Sequence, residues 1–193
     1  MNHKPGLLVV ISSPSGGGKT TIIKRILKRI PNFQYSISVT TRPKRRGEIE
    51  GKDYFFSSKE EFKTKINQGE FLEWEQVHGN YYGTPKKIID EWLSQGKTVF
   101  LDIDVKGALN IEKIYPKNSV LIFLNPPSIE HLRKRLQKRA SDNSVEIDKR
   151  LEIAEKEIAF SNLFNYVVTN DDLNKTEREV IDIIKENQER KVA

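Results

Sequence analysis

The sequence of 193 residues contains no cysteine, three histidines and one methionine. The absence of cysteine excludes disulfides, thiolate nucleophiles, zinc ribbons and iron–sulfur clusters, and three histidines argue against a multi-histidine metal centre. No apolar run approaches the ~18 residues that a membrane-spanning helix requires, since the longest covers residues 7–11. The residues before that run have no small-residue cleavage site, so we expect no secretory signal. These exclusions favour a cytoplasmic location.

Charge and composition predict a folded, basic protein. The 33 Lys and Arg residues exceed the 27 Asp and Glu residues, which gives a net charge of +6, and 2 Trp, 6 Tyr and 9 Phe argue against disorder. The length suits one α/β domain with small insertions. A basic balance fits nucleic acid, an anionic membrane surface or small polyanionic substrates. Charge alone does not choose among them, and a solvated lysine-rich surface explains it equally well.

Strand-like and helix-like segments alternate along much of the chain. Residues 7–12 form a continuous apolar run, which is typical of a strand buried on both faces of a parallel sheet. The following segment, 20–30, has apolar residues at helical spacing. Further strands are predicted at 98–103, 120–124 and 166–169, and further helices at 128–139, 145–160 and 175–189. This alternation indicates an α/β fold with a mostly parallel central sheet flanked by helices.

Residues 35–83 break the alternation. Short aromatic strand-like pieces surround a charged loop at 44–52 and a short helix predicted near 58–67. We interpret this stretch as a small mixed α+β subdomain inserted after the first helix. Another helix is predicted at 86–95, directly after Pro85. The polar segment 138–148 is a candidate mobile lid, with an ordinary surface loop as the alternative.

A glycine-rich loop joins the first strand to the first helix, the context that a Walker A motif requires. Its glycines let backbone N–H groups turn inward to bind phosphate oxygens, and the full pattern differs only in having serine at its first position. Lys19 would reach the terminal phosphates and Thr20 would offer a hydroxyl to Mg²⁺. The expected ATP-binding residues of the loop are Ser13, Pro14, Ser15, Gly16, Gly17, Gly18, Lys19 and Thr20. The motif predicts a nucleoside triphosphate site, but a kinase, a GTPase, a motor or a nucleic-acid ATPase would all carry it.

Two carboxylates stand at the end of the predicted strand 98–103. Ligands of an open parallel sheet bind beyond the carboxyl ends of its strands, so Asp102 is placed to hold Mg²⁺ directly or through water. Asp104 lies two residues further, which would put it on the same face of the strand. The alternative for either residue is that it caps the following helix.

A basic segment precedes the aromatic pieces of the inserted subdomain. Arg42 and Arg45 lie in an irregular turn, where an arginine can bind a phosphate with two hydrogen bonds. The hydroxyl of Tyr54 would add another donor. By itself this pattern is weak, because a basic loop is often only solvated surface.

Taken in order and spacing, these segments resemble the guanylate kinase family across nearly the whole chain. The matching segments read SSPSGGGKT, TTRPKRRGEIEGKDYFF, EFLEWEQVHGNYYGTP, KTVFLDIDVKGA, FLNPPSIEHLRKRL and VVTNDDL. The resemblance implies a P-loop kinase core at 1–34, 85–127 and 155–193. It also implies a GMP-binding subdomain at about 35–84 and a helical lid at about 128–154.

The resemblance also assigns site residues. It places Arg42, Arg45, Tyr54 and Tyr82 at the phosphate of GMP, and Ser38, Glu73, Thr84 and Asp104 around the guanine base. Arg135, Arg139 and Arg150 of the lid would act on the ATP side, and Asn170 would lie near adenine. Together with Lys19 and Arg42, the three lid arginines form the expected catalytic set. Thr20 and Asp102 are the expected Mg²⁺ ligands.

The guanine assignment makes independent chemical sense. Guanine presents two adjacent donors, N1–H and the 2-amino group, and an ionised carboxylate such as Glu73 accepts both. Adenine lacks the 2-amino group and has an acceptor at N1, so it would leave that carboxylate unpaired. Without the surrounding motif, Glu73 would be interpreted as a surface carboxylate beside Trp74.

The implied activity is the conversion of ATP and GMP to ADP and GDP, with Mg²⁺ bound alongside ATP. One alternative is a non-catalytic guanylate-kinase-like module, but such modules typically lack a working phosphate loop. A second is a P-loop kinase for another nucleoside monophosphate. A third is a nucleic-acid binder, although no nucleic-acid motif is visible. We therefore expect ATP and GMP as partners, with no nucleic acid and no membrane. A homodimer is suggested by analogy alone.

Overall fold

Helices and strands alternate in the computed structural model, which describes residues 6–77, 79–138 and 144–190. The strands are β1 (Leu7–Ser12), β2 (Gln34–Tyr35), β3 (Val39–Thr40), β4 (Phe55–Phe56), β5 (Phe71–Val77), β6 (Asn80–Pro85), β7 (Thr98–Asp102), β8 (Ser119–Asn125) and β9 (Tyr166–Thr169). The helices are α1 (Lys19–Arg29), α2 (Lys59–Asn67), α3 (Lys86–Ser94), α4 (Val105–Ile114), α5 (Ile129–Lys138), α6 (Ser144–Ala159) and α7 (Leu173–Arg190). In the described ranges, no helix has both the length and the apolar character needed to cross a membrane.

The core sheet joins five strands in the order β2-β7-β1-β8-β9, and every pair is parallel. All six residues of β1 are buried. Leu7, Val9 and Ile11 pack with residues of α1 and α7, whereas Leu8 and Val10 pack with residues of α3 and α4. Both faces of the central strand are thus covered, which explains its unbroken apolar sequence. The predicted parallel sheet flanked by helices is confirmed.

A second sheet carries the inserted segment, with the strand order β4-β3-β6-β5. Phe62 of α2 is fully buried beneath it and stacks on Phe71 and Tyr81, at centroid distances of 4.5 and 5.4 Å. Ser58 and Glu61 cap the start of α2 reciprocally, side chain to backbone. This subdomain therefore has its own small aromatic core.

The chain passes from the core sheet to the small sheet within a few residues. The sequence suggests one strand-like piece over residues 35–41, but the structure divides it. Tyr35 pairs with Phe100 in the core sheet, and the Ser36 N–H donates to the carbonyl of the same Phe100 at 3.0 Å. Val39 then pairs with Gly83 in the small sheet. Residues 35–41 therefore belong to both sheets, because this short stretch of chain joins one sheet to the other.

Helices α5 and α6 pack on one another through a separate apolar cluster of Leu132, Leu136, Ile147, Leu151 and Ala154. This pair occupies the segment expected to be a helical lid. The predicted polar loop 138–148 is shorter in the structure, because α6 already begins at Ser144. Residues 139–143, and with them Arg139, lie outside the described residues.

Truncating the aromatic core of the small subdomain should destabilise the protein. Phe62→Ala removes a fully buried ring with two stacked neighbours, so we expect a loss of about 3–5 kcal/mol in the free energy of unfolding, measured by urea titration. Phe55→Ala is the matched control, since Phe55 lies in the same sheet but is 43% exposed. Equal losses in the two variants would contradict the described packing.

Candidate functional site

The glycine-rich loop adopts a conformation that its sequence makes accessible. Gly16 and Gly18 have φ values of 86° and 101°, in the left-handed region that other residues rarely adopt. A Cβ atom at Gly17 would lie 2.5 Å from Ser13 Oγ. Helix α1 begins directly after the loop, at Lys19. Backbone N–H groups and the positive end of a helix thus meet at one place, which suits an anion.

Asp102 is held against the loop by the strand register. Ile11 at the end of β1 pairs with Asp102 at the end of β7. The Thr20 hydroxyl donates to Asp102 Oδ2 at 3.0 Å, and Lys19 Nζ lies 3.8 Å from Asp102 Oδ1. Lys19 Nζ also donates to the carbonyl of Ser13 at 3.0 Å. The predicted neighbourhood of Lys19, Thr20 and Asp102 is therefore present.

Two pockets open at this edge of the core sheet. The first, which we call the loop pocket, has a volume of about 260 Å³ and includes the phosphate loop and Thr20. The second, which we call the carboxylate pocket, has a volume of about 370 Å³ and includes Glu73, Tyr82 and Asp104. Both are lined by Ser13, Ser15, Lys19, Ser38, Tyr54 and Asp102. The pockets are thus neighbours with a shared wall.

Arg42 stands near the carboxylate pocket in a paired state. Its guanidinium donates to Glu48 through Nη1 at 3.1 Å and through Nη2 at 2.7 Å. It lies 5.3 Å from the centroid of the Tyr54 ring, and hydrogen bonding to Glu48 raises the pKa of Arg42. Arg45, the second expected phosphate ligand, is exposed.

The lining of the carboxylate pocket is rich in acidic side chains. Glu73 accepts a short hydrogen bond from the Thr84 hydroxyl. Burial raises the pKa of Glu73 to about 7, and the negative charges of Asp104 and Glu75 act in the same direction. A Cβ atom at Gly107 would lie 2.9 Å from Glu73 Oε2, so α4 approaches this carboxylate closely. An ordinary surface carboxylate beside Trp74 would not have these neighbours.

Asp104 lines the carboxylate pocket, but it lies on a different element from the one we expected. The sequence places it on a strand together with Asp102, but β7 ends at Asp102. Asp104 is instead the N-cap of α4, where its Oδ1 accepts from the Gly107 N–H at 2.8 Å. The capping alternative is therefore correct for Asp104, and the same carboxylate still lines the pocket.

Arg135 joins α5 to the phosphate loop. Its guanidinium donates to the backbone carbonyls of Gly17 at 3.3 Å and Asn170 at 2.8 Å. The side chain of Asn170 is buried and donates to the same Gly17 carbonyl at 2.6 Å. Both predicted residues thus contact the loop itself. Arg150 lies within α6 and is half-buried.

Comparisons with known proteins agree on one family. A family model described as guanylate kinase matches residues 6–187. A guanylate kinase of Carboxydothermus hydrogenoformans is 52% identical over 171 residues, which is 89% of this chain and 83% of the relative. One of Thermotoga maritima is 47% identical over 180 residues, which is 93% of this chain and 86% of the relative. The chain belongs to the guanylate kinase family.

Solved structures of similar proteins support the fold. The crystal structure of guanylate kinase from Anaplasma phagocytophilum superimposes with a TM-score of 0.80 at 34% identity, covering 96% of this chain and 87% of that one. The SH3-kinase fragment of tight junction protein 3 gives a TM-score of 0.50 at 14% identity, covering 97% and 59%. The latter shows a shared fold alone.

Two acidic residues of the site escaped the sequence reasoning. Glu48 pairs with Arg42, and Glu157 of α6 lines the carboxylate pocket together with Lys19 and Asp104. Burial raises the pKa of Glu157, while Lys19 and the Ser15 N–H oppose that shift. The signal for Glu48 was its position three residues after Arg45 in a turn. The sequence contains no signal for Glu157, because a charged residue on a helix usually faces solvent.

The raised pKa of Glu73 predicts a pH-dependent cost in stability. A carboxyl whose folded pKa is about 7 rather than 4.5 holds its proton more tightly when folded. Stability is therefore lost as the pH rises from 4.5 through 7 and stays lost above it. Relative to Glu73→Gln, the wild type should lose on the order of 2 kcal/mol between pH 5 and pH 8.

Chemical denaturation at both pH values measures this difference. Glu70→Gln controls for the removal of one carboxylate, since Glu70 is exposed in the same subdomain and pairs with Lys65. A difference between wild type and Glu73→Gln that does not change with pH would show that the carboxyl titrates normally.

Proposed function

We propose that this protein transfers the γ-phosphoryl group of ATP to GMP and releases ADP and GDP. Its membership of the guanylate kinase family supports the reaction. One observation carries the proposal from the structure. The loop pocket and the carboxylate pocket share six lining residues, Lys19 and Asp102 among them. A triphosphate in one pocket and a monophosphate in the other would therefore lie side by side along these shared residues.

The reaction needs little chemistry from side chains. An oxygen of the GMP phosphate attacks the γ-phosphorus, a new P–O bond forms, and the bond to the bridging oxygen breaks as ADP leaves with the electron pair. The attacking oxygen is already ionised, so no general base is required. Because the transition state is loose, positioning and charge stabilisation dominate catalysis.

Charge neutralisation is the main task of the site. ATP and GMP bring roughly six negative charges together, and repulsion must be offset before the reacting atoms approach. We assign this role to Lys19 and Arg42, with Arg45 and the lid arginines Arg135, Arg139 and Arg150. Arg139 lies outside the described residues, so its assignment rests on sequence resemblance. The present bonds of Arg135 to Gly17 and Asn170 support a place beside the ATP phosphates.

Mg²⁺ fits the residues at the mouth of the loop pocket. Thr20 offers a hydroxyl oxygen and Asp102 a carboxylate oxygen, both of which are hard ligands of the kind that Mg²⁺ prefers. The described residues contain no cluster of three or more acidic, histidine or cysteine side chains that would form a complete protein cage. Mg²⁺ in kinases is instead shared with substrate phosphates. When bound, the ion neutralises charge on the β- and γ-phosphates.

We assign the selectivity for guanine over other bases to Glu73. An ionised carboxylate accepts from N1–H and from the 2-amino group of the base. Thr84 already orients one of its oxygens, and Ser38 and Asp104 line the same pocket. Adenine would leave the half-buried carboxylate without these donors, and such a mismatch is costly. Tyr54 and Tyr82 line the same pocket and lie beside Arg42, and we assign the phosphate of GMP to these three residues.

The other functions considered gain no support. A non-catalytic module would not need Lys19, Thr20 and Asp102 in mutual contact. A kinase for another monophosphate would have no use for a half-buried carboxylate facing the base. A homodimer and a cytoplasmic location stay predictions from the sequence.

The direct test is turnover with a panel of acceptors. Purified protein with ATP and Mg²⁺ should form ADP in a coupled assay with GMP, and at least ~10³-fold less efficiently with AMP, CMP or UMP. Lys19→Ala should reduce turnover by orders of magnitude while the melting temperature stays within a few degrees. Lys24→Ala is the matched control, because Lys24 is exposed on the same helix. Unchanged activity of Lys19→Ala, or a preference for another monophosphate, would refute the proposal.

A second prediction concerns base selection. Glu73→Gln replaces an acceptor oxygen with a donor that faces the guanine amine, so GMP binding should weaken by ~1–3 kcal/mol. IMP lacks the 2-amino group, and its binding should weaken less. Calorimetric titration of both nucleotides measures the two changes. Equal losses of binding free energy for GMP and IMP would show that Glu73 does not contact the 2-amino group.

A further inference from the structure

The pairing of Arg42 with Glu48 uses one defined edge of the guanidinium. Nη1 and Nη2 each donate to a different oxygen of Glu48, at 3.1 and 2.7 Å. Nη1 also donates to the Pro43 carbonyl at 2.8 Å. A guanidinium has five N–H groups, and these three bonds occupy the end formed by Nη1 and Nη2. Neither Glu48 nor Pro43 uses the edge formed by Nε and the outer hydrogen of Nη2, and that edge can also bind two oxygens of one phosphate.

Glu48 is itself fixed in place. Its Oε2 accepts from the Arg45 N–H at 2.7 Å, and its own N–H donates to the Arg45 carbonyl at 3.2 Å. The pairing with Arg42, and after it the hydrogen bond from the Arg45 N–H, lower the pKa of Glu48, so its carboxylate stays ionised at neutral pH. The turn that carries both expected phosphate-binding arginines is thus closed around one carboxylate.

The surroundings hold the pair in a confined position. The side chains of Arg42 and Glu48 are 11% and 19% exposed, which is low for two charged groups. The guanidinium lies near the rings of Tyr54 and Phe56, at 5.3 and 6.0 Å from their centroids. The Tyr82 hydroxyl accepts a hydrogen bond from the guanidinium and, after Glu48, contributes to the raised pKa of Arg42. Glu48 and the two rings together restrict the plane of the guanidinium.

We propose that Glu48 is a positioning residue for GMP, holding Arg42 with its second edge turned toward the phosphate. This inference rests on the proposed function. Glu48 does not touch the substrate in this account and acts through Arg42. An arginine already fixed in its binding orientation loses less side-chain entropy when the phosphate arrives, which favours GMP binding despite the extra negative charge nearby.

The same contact allows an opposite role, in which Glu48 occupies the position of the phosphate and must leave before GMP binds. Two observations favour positioning. Glu48 is anchored to the backbone of its own turn through Arg45, and it bonds only the Nη1 and Nη2 end of the guanidinium, so it does not use the Nε edge. The two roles predict changes of opposite sign, so an experiment separates them.

The test is a double-mutant cycle on GMP binding, measured by calorimetry with Glu48→Ala, Arg42→Ala and the double variant. Glu48→Ala should raise the Kd of GMP about tenfold, while the KM for ATP changes less than twofold. In the Arg42→Ala background, the same substitution should change the Kd less than twofold, because its effect passes through Arg42. Glu48→Gln, which keeps one acceptor oxygen, should give an intermediate Kd. Glu70→Ala is the control, since it breaks an exposed pair with Lys65 in the same subdomain.

Three other outcomes would contradict either the positioning role of Glu48 or the proposed function. Tighter GMP binding by Glu48→Ala would show that Glu48 blocks the phosphate position. An equal loss with and without Arg42 would assign Glu48 to the stability of its turn, and a fall in melting temperature would accompany it. Wild-type protein that binds no GMP at all would refute the proposed function rather than the role of Glu48.

Discussion

The whole site depends on the parallel pairing of β1 with β7. That register puts Ile11 opposite Asp102, so the residues that follow β1 turn beside a carboxylate at the end of the neighbouring strand. Lys19 and Thr20 then contact Asp102 as soon as α1 begins. A slip of one residue would point Asp102 to the other face of the sheet. Burial of β1 on both faces makes such a slip costly, so the core fixes the geometry of the loop pocket.

The carboxylate pocket is built on an electrostatic contrast. Arg42 and Glu48, beside the Tyr54 ring that lines the pocket, are a compensated pair, which favours the charged state of both. Glu73, which lines the pocket, has its charged state disfavoured by burial and by the nearby charge of Asp104, and the hydrogen bond from Thr84 offsets this only in part. A ligand with two N–H donors and a distant phosphate would complement both groups, its donors binding Glu73 and its phosphate binding Arg42. The half-buried carboxylate of Glu73 lowers the stability of the free protein at neutral pH, because its surroundings suit a bound ligand that the free protein lacks.

The sequence predicts much of this structure, and the misses have physical causes. The strand at 7–12 and the helix after it follow from a continuous apolar run and a helical period, and the loop between them from its glycines. Asp104 was misplaced because the apolar pattern continues through Ile103, although the strand ends at Asp102. Glu48 and Glu157 were missed because a carboxylate among basic residues, or on a helix, normally faces solvent. Their roles depend on contacts that only the folded chain brings together.

The proposed reaction requires that two anionic ligands occupy adjoining pockets and meet at Lys19. A bisubstrate compound in which five phosphates join adenosine to guanosine tests it directly, since such a compound fits only if both pockets are open to one another. Inhibition kinetics should show competition against ATP and equally against GMP, with an affinity above that of either nucleotide alone. Competition against one substrate and not the other would place the two pockets apart and contradict the account.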